Sequence, residues 1–313
     1  MDYRAPMALP LLSTVHVNVN CSDLSRSLAF YRDAVGLVPI SHTRPLPQEG
    51  AGFGLPGRVQ WDAHLLHDAR GLAGPAVDLL EWQQPRPQGR PAEAANRLGP
   101  TRLCLSHPDL DALHAKLTAS GVRTASTPAR MPLSPELAVR FFCAFDPDGA
   151  CVEFLEREGE TQLLHVNLNC ADLESSSAWY RRVLGLERLM PRVEPGPVDG
   201  SGLGMAGECR FRADFLAIPD RADLVIDLLE WIEPRPVGHP PAAANQLGWF
   251  RLAWLVEDAA TCCAELDRLG VAHSGPCWLD MGPEIPIAGL HAVFFRDPDG
   301  SCLELIERPR LDA

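Results

Sequence analysis

Long apolar runs are missing from these 313 residues. None approaches the roughly 20 residues that a membrane-spanning helix needs, which excludes a helical membrane protein. Also missing is any run of lysine and arginine. The net charge is −13 and the pI near 5.2, so nothing offsets phosphate repulsion, and neither nucleic acid nor an anionic membrane is an expected partner. The opening MDYRAPMALPLL has no basic segment and too short an apolar stretch for a secretory signal, which gives a cytoplasmic expectation. There are ten cysteines, but none has zinc-type CxxC spacing and their density is not that of a small secreted domain, so buried reduced thiols are expected. The adjacent Cys262 and Cys263 lie in a helical pattern and suggest no metal site.

The chain does contain itself twice. HVNVNCSDL at His16 returns as HVNLNCADL at His165, DLLEW at Asp78 returns at Asp227, and FDPDGACVEFLER at Phe145 returns as RDPDGSCLELIER at Arg296. His16, Asp78 and Arg102 each recur 149 residues on, as His165, Asp227 and Arg251. A period that long marks a duplicated domain, since solenoid repeats run only about 20 to 50 residues. The expected domains are residues 12–157 and 161–308, each large enough to bury its own core.

Each copy carries a finer period. Residues 13–20 alternate, with His16, Asn18 and Asn20 on one face and Val15, Val17 and Val19 on the other, which reads as a strand with one polar face. SDLSRSLAFYRDAVG follows as a capped helix stopped by Gly36, and TRLCLSHPDLDALHAKLTASGV at Thr101 repeats the plan. Short strands then lead to an apolar-acidic one, at Asp78 and again at Glu153. Four βαβββ modules result. GFGLPG at Gly52 and GLGMAG at Gly202 follow no clear strand and open no helix, so close backbone approach or a lid suits them better than phosphate binding.

The first strand, the DL-x-x-S helix with its [FW]Y and GL ending, and the DPDG turn feeding an acidic strand resemble the vicinal oxygen chelate superfamily. That superfamily includes glyoxalase I, bleomycin-resistance proteins, methylmalonyl-CoA epimerase and extradiol dioxygenases. The resemblance covers nearly the whole chain, twice. It implies an α+β fold in which four βαβββ modules pair into two cup-shaped mixed-sheet domains, each cup drawing one residue from each first and last strand to a central site. Carried onto this sequence, the site residues are His16, Asp78, Arg102 and Glu153 in the first domain, and His165, Asp227, Arg251 and Glu304 in the second.

The departure from that family lies at Arg102 and Arg251. Where a metal-dependent relative offers a second histidine, guanidinium has only donors and stays protonated, so it cannot ligate a cation. No cofactor is therefore favoured; a divalent metal held by His16, Asp78 and Glu153, or by His165, Asp227 and Glu304, is the alternative. Arginine beside two carboxylates also fits a purely structural ion network. Trp61 and His64 occur only in the first copy and are the candidate substrate contacts. Glu81, Glu230, Glu156 and Glu307 fall on the opposite strand face and are expected to be solvated.

Three functions compete. The first is an enzyme doing metal-independent proton transfer, of isomerase, epimerase or lyase type, on a carbonyl-bearing or cyclic metabolite; the resemblance implies a place in specialised metabolism, where tandem members are met. The second is a resistance protein that sequesters a drug-like ligand. The third, an extradiol-type dioxygenase, is disfavoured by the two arginines. Each takes a small-molecule ligand, and a homodimer is left open.

Overall fold

The computed structural model describes residues 7–309; the first six residues of the segment read for a secretory signal lie outside that range. The first module comprises β1 (Ser13–Asn20), α1 (Leu24–Ala29) continued as a π-helical turn over Phe30–Val35, β2 (Val38–Thr43), β3 (Gln48–Glu49), β4 (Arg58–His67) and β5 (Ala76–Gln84). The second comprises β6 (Gly99–His107), α2 (Leu110–Ala119), β7 (Ala129–Pro132), β8 (Ala138–Phe145) and β9 (Cys151–Glu156). In the third are β10 (Leu163–Asn169), α3 (Leu173–Leu184), β11 (Glu187–Arg188), β12 (Val198–Asp199), β13 (Glu208–Ile218) and β14 (Arg221–Glu233). The fourth holds β15 (Gly248–Val256), α4 (Ala259–Leu269), β16 (Cys277–Asp280), β17 (Gly289–Arg296) and β18 (Cys302–Glu307). No described helix is long and apolar enough to cross a membrane.

These strands form two nine-stranded mixed sheets, and each sheet draws on both repeats. One runs β16-β17-β18-β15-β1-β5-β4-β2, with β3 on β4; the other runs β11-β13-β14-β10-β6-β9-β8-β7, with β12 on β13. Cup 1 thus joins the first module to the fourth through the antiparallel pair β1–β15, and cup 2 joins the second to the third through β6–β10. The expectation that each repeat closes its own cup is corrected accordingly. Modules of one repeat meet through helices and turns instead: Tyr31 Oη donates to Asp146 Oδ2 at 3.1 Å, and Tyr180 Oη to Asp297 Oδ2 at 2.8 Å.

The crossing is held by an asparagine in each first strand. Asn20 Nδ2 donates to the carbonyls of Ala244 and Gln246, and Asn169 Nδ2 to those of Ala95 and Arg97, so each strand grips the connecting segment of the other repeat. The same asparagines accept from the buried indoles of Trp82 and Trp231, which leaves those ring N–H groups satisfied. Burying such a ring is worth roughly 1.5–3 kcal/mol or more. The glycine-rich loops fit by close approach: a Cβ at Gly52 would stand 2.6 Å from Cys277 Sγ, and one at Gly202 2.6 Å from Phe141 Cζ.

Helix starts explain glutamates that the sequence places in solvent. Glu81 accepts from the Leu24 N–H, Glu230 from Leu173 and Glu307 from Ala259, satisfying donors that a helix N-terminus leaves open. Glu230 is buried outright and also receives Arg212. Only Glu156 keeps a solvent-side role, pairing with Arg140. All ten cysteines are free, and most are buried.

Candidate functional site

Strand pairing decides which side chains meet. In cup 1, β1 pairs in parallel with β5, and β15 with β18, so His16 and Asp78 of the first repeat face Arg251 and Glu304 of the second. Arg251 Nε donates to Glu304 Oε2 at 2.7 Å and Nη2 to Asp78 Oδ2 at 2.8 Å. His16 Nε2 lies 3.2 Å from Glu304 Oε2 and 3.8 Å from Asp78 Oδ2. All four residues are buried. Burial pushes the Glu304 pKa up, but the guanidinium of Arg251 and the imidazole of His16 outweigh it and hold the carboxyl below its usual range. Glu304 is therefore an acceptor at neutral pH, so the His16 ring donates to it through Nε2 and turns Nδ1 away from the carboxylates. That Nδ1 and Arg251 Nη1 are both buried without a protein partner.

Cup 2 carries the same residue types more loosely. Arg102 Nε donates to Glu153 Oε2 at 2.5 Å, but Nη2 stands 3.6 Å from Asp227 Oδ2 while Nη1 donates to Asn167 Oδ1 at 3.1 Å. His165 Nε2 lies 3.8 Å from Glu153 Oε1 and 4.0 Å from Asp227 Oδ2, beyond hydrogen-bond reach, and has no partner. Asp227 Oδ1 is equally unpartnered, and burial raises the Asp227 pKa despite His165 and Arg102. Sequence supplies a cause for the looser set: Thr101 bonds the Asn167 oxygen from beside Arg102, whereas its counterpart Phe250 has no hydroxyl and Asn18 Oδ1 is left unpartnered.

The quartets expected from the sequence are thus regrouped. All eight residues are buried and converge in fours, but the sets are His16, Asp78, Arg251 and Glu304, and Arg102, Glu153, His165 and Asp227. Each quartet lies at the wall of an apolar cavity. In cup 1 a volume of about 240 Å³ is enclosed by the quartet with Phe53, Trp61, Leu65, Leu279, Met281 and Leu290 among others. In cup 2 about 180 Å³ is enclosed by the quartet with Met131, Leu133, Phe141, Met190, Phe211 and Phe215 among others.

Trp61 therefore takes the cavity position expected of it, but His64 does not. Alternation along β4 sends His64 to the other face, where it stacks on His42 with ring centroids 4.2 Å apart. His42 itself is tied to Asp62 at 2.6 Å and to Glu284 at 2.5 Å. Phe53, Leu279 and Met281 also line the cup 1 cavity, from the segments 45–57 and 276–287, which the sequence leaves as the place where ligand choice lies.

The family fold commonly holds a metal at such a quartet. In cup 1 the donor set does not fit one, because Arg251 offers no lone pair and His16 Nε2 is already engaged by Glu304 Oε2 at 3.2 Å. In cup 2 a different set is present: ligand atoms of Cys104, Glu153 and His165 lie within 4.8 Å of one another. Cys104 follows Arg102 by two residues on the same strand face, and its counterpart in the second repeat is Ala253. Because it does not recur, the repetition of the chain gives no sign of it.

The Glyoxalase/Bleomycin resistance protein/Dioxygenase superfamily model matches residues 13–154 and again 162–305. Among solved structures, glyoxalase I from Zea mays shares 17% identity with a TM-score of 0.63, covering 94% of this chain and 92% of its own. A putative dioxygenase from Bacillus subtilis shares 14% identity with a TM-score of 0.61, covering 96% and 87%. No functionally curated protein matches the chain. With the family model satisfied twice and the paired-module fold in place, the chain belongs to the Glyoxalase/Bleomycin resistance protein/Dioxygenase superfamily.

Proposed function

We infer that cup 1 is the working site of a small-molecule enzyme, performing metal-independent proton transfer of the isomerase, epimerase or lyase type on an apolar, carbonyl-bearing metabolite. The observation that carries this reading is Arg251, clamped by two carboxylates through Nε and Nη2, with Nη1 left without a partner at the wall of an apolar cavity. A buried cationic donor without an acceptor is costly, and a substrate oxygen that gains negative charge in the transition state would satisfy it. His16 supplies the base. Its Nδ1 has no protein partner, imidazole is the side chain that exchanges protons most readily near neutral pH, and Glu304 with Asp78 stands ready to stabilise the imidazolium. The apolar wall of Phe53, Trp61 and Leu279 suits a hydrophobic or cyclic body, and also suits the second reading, a protein that sequesters such a ligand.

One experiment separates the two. Aryl ketones and 2-oxo acids are incubated with the protein in D2O, and exchange at the carbon next to the carbonyl is followed by NMR alongside calorimetric binding. Exchange that is lost in His16→Ala and Arg251→Lys but retained in Arg102→Lys supports the enzyme; binding with no exchange in the wild type supports sequestration.

A further inference from the structure

We propose that cup 2 holds one thiophilic divalent cation, zinc being the type case, through Cys104, Glu153 and His165. The three side chains come from three different strands of one sheet, β6, β9 and β10, and β6 lies between the other two. The pairing puts Cys104 opposite both His165 and Glu153. Their ligand atoms already lie within 4.8 Å of one another with no ion present. Bonds to zinc of about 2.0–2.3 Å would draw such atoms to separations on the order of 3.5 Å, a contraction of roughly 1 Å.

The second, independent observation is an unpartnered buried ring nitrogen. His165 is buried, yet its Nε2 bonds to nothing, and it faces Glu153 Oε1 at 3.8 Å, too far for a hydrogen bond and close to the spacing of two ligands on one ion. Arg102 uses the other oxygen of Glu153, so the carboxylate can serve both. A thiolate, a carboxylate and an imidazole together suit zinc or cobalt better than magnesium or calcium, which prefer oxygen alone.

Cup 1 shows why this belongs to one cup only. There the position of Cys104 is Ala253, and His16 Nε2 is already within 3.2 Å of Glu304. The proposal does not depend on the proton-transfer reading of cup 1, and either can fail alone.

The test is titration of the metal-free full-length protein with Zn2+ against a chromophoric chelator, and with Co2+ followed by absorption. One equivalent is expected, with a thiolate-to-cobalt charge-transfer band in the near ultraviolet and a higher melting temperature when zinc is added. Cys104→Ala, which installs the residue of the sister strand, should abolish the band and the zinc-induced stabilisation. It should also weaken binding by at least the roughly tenfold that follows loss of a mere supporting hydrogen bond. His165→Gln should do the same, and His16→Ala should change neither. Should Cys104→Ala fail to fold, the wild-type stoichiometry and band together with His165→Gln decide. Binding no tighter than millimolar, absence of the charge-transfer band, survival of binding in a folded Cys104→Ala, or its loss in His16→Ala would each overturn the proposal.

Discussion

Arg251 donates through Nη2 to Asp78 Oδ2 at 2.8 Å across 173 residues of sequence, so the second repeat completes the site begun by the first. The bond is buried, and removing one partner of such a pair typically costs about 3–5 kcal/mol. Asp78→Ala and Arg251→Ala should therefore be coupled, by on the order of 0.5–3 kcal/mol, whereas Asp78→Ala and Arg102→Ala should add independently. Denaturant unfolding of the single and double variants checks this, and coupling to Arg102 in place of Arg251 would contradict the pairing of modules.

The same pairing makes half a chain incomplete. Residues 1–157 contain β1 and β6, whose partners β15 and β10 lie in the other repeat, and each would present an unpaired edge. A fragment 1–157 is expected to fold only as a dimer in which β1 of one copy takes β6 of the other. Light scattering after size-exclusion chromatography measures it; a stable folded monomer would be inconsistent with the composite cups.

Acid should reveal the clamp on Glu304. Its pKa in the folded protein is held below the ordinary value of 4.5, so the carboxylate contributes stability above that value and loses it as pH falls through the lowered one. The deficit of Glu304→Gln relative to wild type should be largest at neutral pH and shrink on acidification below about 4.5. Unfolding free energies measured from pH 7 to pH 3 give the comparison, and a deficit that grows as pH falls would reverse the assignment.

Glu230 offers a structural control. Its carboxylate receives the Leu173 N–H at 2.8 Å and Arg212 Nε at 2.9 Å, remote in role from either cavity. Glu230→Ala should cost about 1–3 kcal/mol by leaving a buried donor unsatisfied. Ligand affinity in cup 1 should not change, and thermal unfolding together with calorimetry would show whether the two separate.

Much of this was legible in the sequence, and what was not has a physical cause. The modules and the capped helices follow from alternation and repetition, and the eight site residues from the family resemblance, which places His16, Asp78, Arg102 and Glu153 and their counterparts on first and last strands. Their grouping does not follow. Arg102 and Arg251 occupy equivalent positions on corresponding strands, so β1 could accept either β6 or β15 on pattern alone, and only the grip of Asn20 on residues 244 and 246 makes the choice visible. Cys104 escaped for the opposite reason: its counterpart is Ala253, and a pattern built on recurrence passes over a residue that does not recur. Glu230 was misplaced because its outward face is covered by α3 and not by water.

The most direct test of cup 1 is a crystal structure of the full chain soaked with small apolar carboxylates and ketones sized to a cavity of about 240 Å³. The account predicts a ligand oxygen accepting from Arg251 Nη1, with Asp78 and Glu304 still holding the same guanidinium and the ligand body between Phe53 and Trp61. Ligands bound only elsewhere, or an Arg251 that pairs with the acids of one repeat alone, would contradict it.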